Sequence, residues 1–214
     1  MKKLKMKERG PSGLLITFCG LDGCGKTTLI RRLADELSKD RSVFETRQPT
    51  DAVRRSEIFR TYMDSEDHSA FEYRALSLMA AADRLQHVSH VITPQLERGQ
   101  IVISDRYVYS CLANLRARGF CEDRWIYEIM EDITKPDISV FIDVPVEVAI
   151  SRVRSRPEER HSYIDTALQY RLRDEYNEIC RAVGGLSVSS EMTLDETYAV
   201  ISDAVNKKLR EKKL

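Results

Sequence analysis

The sequence predicts an α/β protein, a doubly wound parallel sheet covered by helices, and three observations carry that expectation. Near-continuous apolar runs at 14–19, 100–104 and 138–143 suit strands buried on both faces of a parallel sheet. Segments of helical periodicity lie between them, so strands and helices alternate along the chain. A glycine-rich stretch, Gly20-Leu21-Asp22-Gly23-Cys24-Gly25-Lys26-Thr27-Thr28, joins the first apolar run to the first helical one, at the sheet edge where ligands collect in such folds. The 214 residues fit one domain, expected over 13–214 behind a basic, solvated tail over 1–12.

Each element has its own signal. Leu29, Leu33 and Leu37 recur at i, i+4 and i+8, one helical stripe over 28–38. A short strand is expected over 42–47 and a short helix over 54–63, followed by a polar break at 64–69. A long helix rich in Ala and Leu is expected over 70–97, its apolar side marked by Leu76, Met79, Ala80, Leu85, Val88 and Ile92, with Pro94 kinking it or starting a new turn and Gly99 ending it. After the strand at 100–104 come helices at 108–118 and 123–134, the strand at 138–143 and a helix at 146–154. A helix over 164–183, a weak strand at 186–189 and a last helix over 194–209 complete the chain. Thr193 with Glu196 three residues on forms a capping box for that last helix.

Composition excludes several classes. The 34 basic and 34 acidic side chains cancel, so no broad positive face for DNA or RNA is expected. No apolar run reaches the roughly 18–20 residues that span a bilayer. The basic start lacks the separate apolar region and small-residue cleavage site of a signal peptide. Five scattered cysteines without a C-x-x-C pair suit reduced thiols in a cytoplasm. Neither a membrane nor a nucleic acid is an expected partner.

Gly20–Thr28 fits G-x-x-x-x-G-K-[ST], a phosphate-binding loop. Gly20, Gly23 and Gly25 allow positive φ and a close backbone approach to phosphate oxygens. Backbone N–H groups and the head of the next helix then point at the anion. Lys26 reaches the β- and γ-phosphates, and Thr27 holds Mg²⁺. A glycine-rich turn matching by chance is disfavoured by the length and setting of the pattern. Cys24 is either a redox handle or, more simply, a small filler.

The loop by itself means a nucleoside triphosphate such as ATP. A guanine-reading Asn-Lys-x-Asp and a Leu-Ser-Gly-Gly signature are both missing from the sequence, which argues against a GTPase and a transport ATPase. Asp105-Arg106-Tyr107 instead ends a buried strand: Asp105 to orient Mg²⁺, directly or through water, or to polarise an acceptor phosphate, and Arg106 to neutralise a second phosphate. Arg47-Gln48-Pro49-Thr50 adds an arginine near the same edge. Arg152, Arg154, Arg156 and Arg160 surround Pro157 in a polar segment, read as an arginine-rich lid over 153–162 rather than a solvated charge run. One inserted arginine can contribute about 10³–10⁵ in rate. His68, His87, His90 and His161 form no ligand set and are read as surface polar residues.

Taken together, these residues resemble the thymidylate kinase family of P-loop nucleoside monophosphate kinases over nearly the whole chain. The resemblance rests on Gly20–Thr28, Thr46-Arg-Gln-Pro49, Ala81-Ala-Asp-Arg-Leu-Gln-His87, Val102-Ile-Ser-Asp-Arg-Tyr107 with Ser110, and Pro136-Asp-Ile-Ser-Val-Phe-Ile-Asp-Val-Pro145. It implies ATP- and Mg²⁺-dependent phosphorylation of a nucleoside monophosphate, dTMP in the family, by a homodimer joined through long helices such as 70–97. It implies that Arg47 and Arg106 hold the acceptor phosphate, Asp22 the sugar 3′-hydroxyl and Arg84 the base and phosphate region. The loop lacks the arginine some members carry at Gly23-Cys24, and members without it supply lid arginines, here Arg154, Arg156 and Arg160.

Two positions depart from the family. Ala80 stands where a stacking Phe is usual, and Asn114 where many members have a Tyr crowding the sugar 2′ position. Loss of one stacking ring is worth about 1–3 kcal/mol. Tyr73, Tyr107 and Tyr109 are candidates to replace it. A thymidylate-kinase-like enzyme with another acceptor is thus an alternative to dTMP phosphorylation, and a non-catalytic nucleotide switch is a further one.

Overall fold

A computed structural model describes residues 4–10, 12–65, 71–160 and 163–214. Five parallel strands form one sheet: β1 (Leu14–Cys19), β2 (Val43–Arg47), β3 (Ile101–Asp105), β4 (Ile138–Asp143) and β5 (Leu186–Ser189), in the order β2-β3-β1-β4-β5. The order reverses at β1, and the chain leaving β1 enters the crevice this reversal opens. Every residue of β1 is buried, as its apolar run requires of a central strand covered on both faces.

The covering helices are α1 (Lys26–Leu37), α2 (Asp51–Arg54), α3 (Glu57–Asp64), α4 (Tyr73–His87), α5 (Thr93–Glu97), α6 (Val108–Ala117), α7 (Trp125–Asp132), α8 (Val146–Arg154), α9 (Thr166–Val183) and α10 (Leu194–Lys212). Leu29, Leu33 and Leu37 of α1 are buried against the sheet as their spacing predicts. The capping box of Thr193 and Glu196 starts α10.

The helix expected over 54–63 is α3, starting three residues later, and a separate short helix, α2, precedes it. Thr50 caps α2 by accepting from the Ala52 N–H, and Ser56 caps α3 by accepting from Phe59. The Ser56 hydroxyl also donates to the Val53 carbonyl at 2.7 Å, which closes α2. The long helix over 70–97 is interrupted by a π-helical turn, Val88–Ile92, ahead of Pro94. In that turn the Thr93 N–H reaches the Val88 carbonyl, and Pro94, which has no N–H to give, stands at the start of α5. Gly99, at φ 79°, ends it. The expected polar break falls mostly on 66–70, outside the described residues.

The start of the chain runs along the body. Lys7 forms a bridge with Thr134, and Arg9 pairs with Asp137, whose Oδ2 also accepts from the Leu15 N–H at 2.8 Å. Among the described residues no helix is long and apolar enough to cross a membrane.

Candidate active site

The loop after β1 is shaped by three glycines at positive φ. Gly20, Gly23 and Gly25 have φ of 145°, 81° and 96°. A Cβ on Gly20 would stand 2.6 Å from the Ile142 carbonyl oxygen, and one on Gly23 2.3 Å from that of Ala149. The loop is therefore wedged between the end of β4 and α8. Gly25 begins α1 without a side-chain cap, leaving first-turn N–H groups for an anion. Lys26 is buried and folds back, its Nζ donating to the carbonyls of Gly20 (3.1 Å) and Leu21 (2.7 Å). Cys24 is buried too, its Sγ 3.4 Å from the Lys26 Nζ, which favours the small-filler reading. Thr27 and Thr28 are exposed at the head of the helix.

β3 delivers the second group of residues to the same edge. Asp105 is in register with Phe18 of β1 and Arg47 of β2. Its Oδ1 is buried without a hydrogen-bond partner. An orphaned carboxylate oxygen beside a phosphate loop suits a hard cation or a bound water. Arg106 adopts a left-handed φ of 67°, a conformation costing about 1–3 kcal/mol in a non-glycine residue. Its N–H donates to the Phe18 carbonyl at 2.8 Å, and its own carbonyl accepts from the Ser104 hydroxyl at 2.8 Å, so both flanks hold the strained residue. The guanidinium reaches the Tyr176 hydroxyl at 3.1 Å and ion-pairs with Asp22. Arg106 beside it pulls the Asp22 carboxyl down to about 2.

Arg54 joins this group and escaped the sequence reading. Its Nε donates to the Pro49 carbonyl at 2.8 Å. Burial, then the neighbouring cations Arg106 and Arg47, push its pKa below the usual guanidinium value, with Asp105 and Asp22 acting in the opposite sense. Arg47 and Arg106 thus end neighbouring strands, and Arg54 lies on the turn that follows β2. Arg47 is meanwhile ion-paired with Asp51. The available signal was the Thr50 cap, which starts α2 and brings its last residue back over the Arg47-Gln48-Pro49 turn.

Arg84 of α4 is only 3% exposed, its Nη1 donating to the Ala80 carbonyl at 2.8 Å and its Nε to the Tyr107 carbonyl at 3.4 Å. Asn114 is engaged on both sides: Nδ2 donates to the Ser110 carbonyl at 2.9 Å, and Oδ1 accepts from Arg118 at 2.8 Å. Arg118 in turn lies 3.8 Å over the Tyr73 ring and donates to the Tyr62 hydroxyl. Tyr107 and Tyr109 are turned into the core, where Tyr107 donates to the Thr134 carbonyl and Tyr109 packs on Phe141. They correct the expectation of replacement stacking rings: Tyr107, at the start of α6, and Tyr109, in its first turn, pack inward with that helix.

His87 is a second correction. It is 8% exposed, sealed between α4 and the end of β2, whereas His90, on the π-turn, is exposed. His68 and His161 lie outside the described residues. Arg154, Arg156 and Arg160 are exposed around a short 3₁₀ turn at Pro157–Glu159, and Arg156 pairs with Glu159. Val153 lies against Gly23, so the lid segment borders the loop; 161–162 lie outside the described residues.

The family described as "Thymidylate kinase" matches residues 18–197 of this chain. Among individual relatives, the "Probable thymidylate kinase" of Pyrococcus horikoshii is 35% identical, over 77% of this chain and 81% of its own length. That of Thermococcus kodakarensis is 33% identical, over 86% and 92%. The "Thymidylate kinase" of a Synechococcus strain is 30% identical, over 90% of this chain and 95% of its own. The match includes both the glycine-built loop and the Asp105-Arg106 strand end, and this chain belongs to the thymidylate kinase family.

Proposed function

We propose that this chain transfers the γ-phosphoryl group of ATP to dTMP, giving ADP and dTDP. The observation that carries the reading is that Arg47 and Arg106 stand at the ends of the neighbouring strands β2 and β3 beside the phosphate loop, with Arg54 bound to the Pro49 carbonyl of the turn after β2. Several guanidinium groups at one strand edge suit a phosphate dianion. A nucleotide switch has no use for a second phosphate site, whereas a monophosphate kinase needs one.

In this reading the two sites meet at the loop. Lys26 leaves the Gly20 and Leu21 carbonyls for the donor phosphates, which also take the N–H groups at the head of α1, with Thr28 beside them. Arg47, Arg54 and Arg106 receive the acceptor phosphate, Asp22 accepts from the sugar 3′-hydroxyl, and Arg84 lies beside the base and phosphate. The buried Asp105 Oδ1 and the exposed Thr27 hydroxyl suit Mg²⁺, which when bound spreads charge away from the donor phosphates. Lid arginines Arg154, Arg156 and Arg160 neutralise the moving phosphoryl group. Catalysis here is positioning and charge stabilisation, with no covalent intermediate.

Two further features belong to the proposal. Leu78, 46% exposed on α4, supports a homodimer packed through the long helix. The cysteines are unpaired thiols, in keeping with a reducing cytoplasm.

The test is ADP release with ATP, Mg²⁺ and a panel of nucleoside monophosphates. Turnover of dTMP well above every other acceptor is expected. Preference for another acceptor would overturn the dTMP assignment, and absence of turnover with all of them would leave the switch.

A further inference from the structure

The turn over 46–50, which carries Arg47, is fastened to α4 at two points one helical turn apart. At the first, Asp83 accepts the Thr50 N–H on Oδ2 at 2.8 Å and the Thr50 hydroxyl on Oδ1. At the second, the buried His87 ring has Nδ1 3.2 Å from the Gln48 Nε2 and Nε2 2.9 Å from the Thr46 Oγ1. With the Gln48 amide nitrogen facing the ring, Nδ1 accepts and Nε2 donates to Thr46. Both ring nitrogens are thus engaged by groups of β2 and its turn. Arg84, between the two fastening residues, points elsewhere, to Ala80 and Tyr107.

What these contacts hold is the cationic edge. The Gln48 N–H donates to the Asp105 carbonyl at 2.9 Å, and the Pro49 carbonyl accepts from Arg54. Arg47 precedes Gln48, Arg54 leans on Pro49, and Asp105 is joined to the same turn. The π-helical turn begins at Val88, directly after His87, so the regular α-helix lasts just far enough to put Asp83 and His87 on one face.

We infer that Asp83 and His87 are positioning residues for capture of the acceptor's phosphate: they fix the turn over 46–50 so that Arg47 and Arg54 stand at the phosphate's seat. The inference rests on the acceptor-site reading proposed above. Misplacing a charged group by about 1 Å can cost about 10²-fold, which sets the scale of the effect.

The experiment measures dissociation constants of thymidine and dTMP by calorimetry, and takes their ratio as the contribution of the phosphate. In Asp83→Asn, which keeps the shape but cannot accept both Thr50 bonds, and in His87→Leu, the ratio is expected to fall about 10- to 100-fold. Affinities for thymidine and ATP stay within twofold. His87→Asn, which retains a group for Gln48, recovers part of the loss. Arg47→Gln and Arg54→Gln run alongside. If those arginine variants lower the ratio while Asp83→Asn and His87→Leu leave it unchanged, the positioning role is overturned and the phosphate site stands. If the arginine variants also leave it unchanged, the phosphate-site reading fails and takes the inference with it. Equal loss of thymidine, dTMP and ATP affinity marks a purely structural role and overturns the inference as well.

Discussion

Arg106 and Asp22 face each other across the mouth of the phosphate loop, the guanidinium Nη2 donating to the carboxylate Oδ1. One residue comes from the strained end of β3 and the other from inside the loop, so the pair ties the two halves of the proposed site together. In the proposed reading an incoming acceptor engages both members, giving phosphate oxygens to Arg106 and a hydroxyl donor to Asp22. The carboxyl, held at about 2, remains an acceptor at every working pH.

Asp22→Asn is therefore expected to raise the KM for dTMP about 10- to 100-fold, the scale of a lost charged hydrogen bond of about 1.5–3 kcal/mol. With 3′-deoxythymidine monophosphate, which lacks the hydroxyl, parent and variant should differ little. Equal losses with both acceptors would show that Asp22 does not read the 3′ position.

Lys26→Ala should lower kcat by at least about 10²–10³, the range seen when one preorganised donor to developing charge is removed. The lysine's resting partners are backbone carbonyls of its own loop, so thermal unfolding should shift by only a few degrees. Near-normal turnover in a folded variant would remove the phosphate loop from the mechanism.

The loop glycines give a prediction about stability rather than rate. Gly23→Ala forces a methyl to within 2.3 Å of the Ala149 carbonyl oxygen, while Gly99→Ala, also at positive φ, meets nothing within 4 Å. The second change carries only left-handed strain, about 1–2 kcal/mol. The first adds overpacking of about 1–3 kcal/mol. Urea unfolding should separate the two; equal losses would mean that the loop yields and is not wedged against α8.

These residues also mark how far the sequence could be read. β1 was legible to the residue because burial on both faces leaves an uninterrupted apolar run, α8 because its apolar residues keep helical spacing, and helix starts were legible where a cap stood alone, as at Thr193. Gly20, Asp105 and Arg106 were legible because a glycine pattern and a strand end fix where backbone and charge must go. Arg54 was not: it opens the helix expected over 54–63, whereas Thr50 starts a separate short helix of which Arg54 is the last residue. His87 was misjudged for a related reason: it shares a helix with polar neighbours, and what buries it is Thr46 and Gln48, 41 and 39 residues earlier. Tyr107 and Tyr109 carry the same ring whether they face a ligand or the core, and only the packing under β3 and β4 decides.

His87 also predicts how stability depends on pH. Burial, assisted by Arg84 and opposed by Asp83, lowers its pKa below the ordinary histidine value, and the neutral ring is the form that accepts from Gln48 on Nδ1. Unfolding releases the ring to an ordinary pKa of about 6.5. Below that pH the unfolded chain takes up a proton that the folded chain refuses, so the unfolded state gains and stability falls as pH drops toward the folded pKa. Above about 6.5 neither state binds the proton and the full contribution is present. For one proton the slope cannot exceed about 1.4 kcal/mol per pH unit. Urea unfolding of the parent between pH 7.5 and 5.5 should therefore show a loss of stability that His87→Leu shows to a lesser degree, since leucine binds no proton in either state. A decline just as steep in the variant would mean that His87 is free to charge in the folded protein, and that its two hydrogen bonds do not hold it neutral.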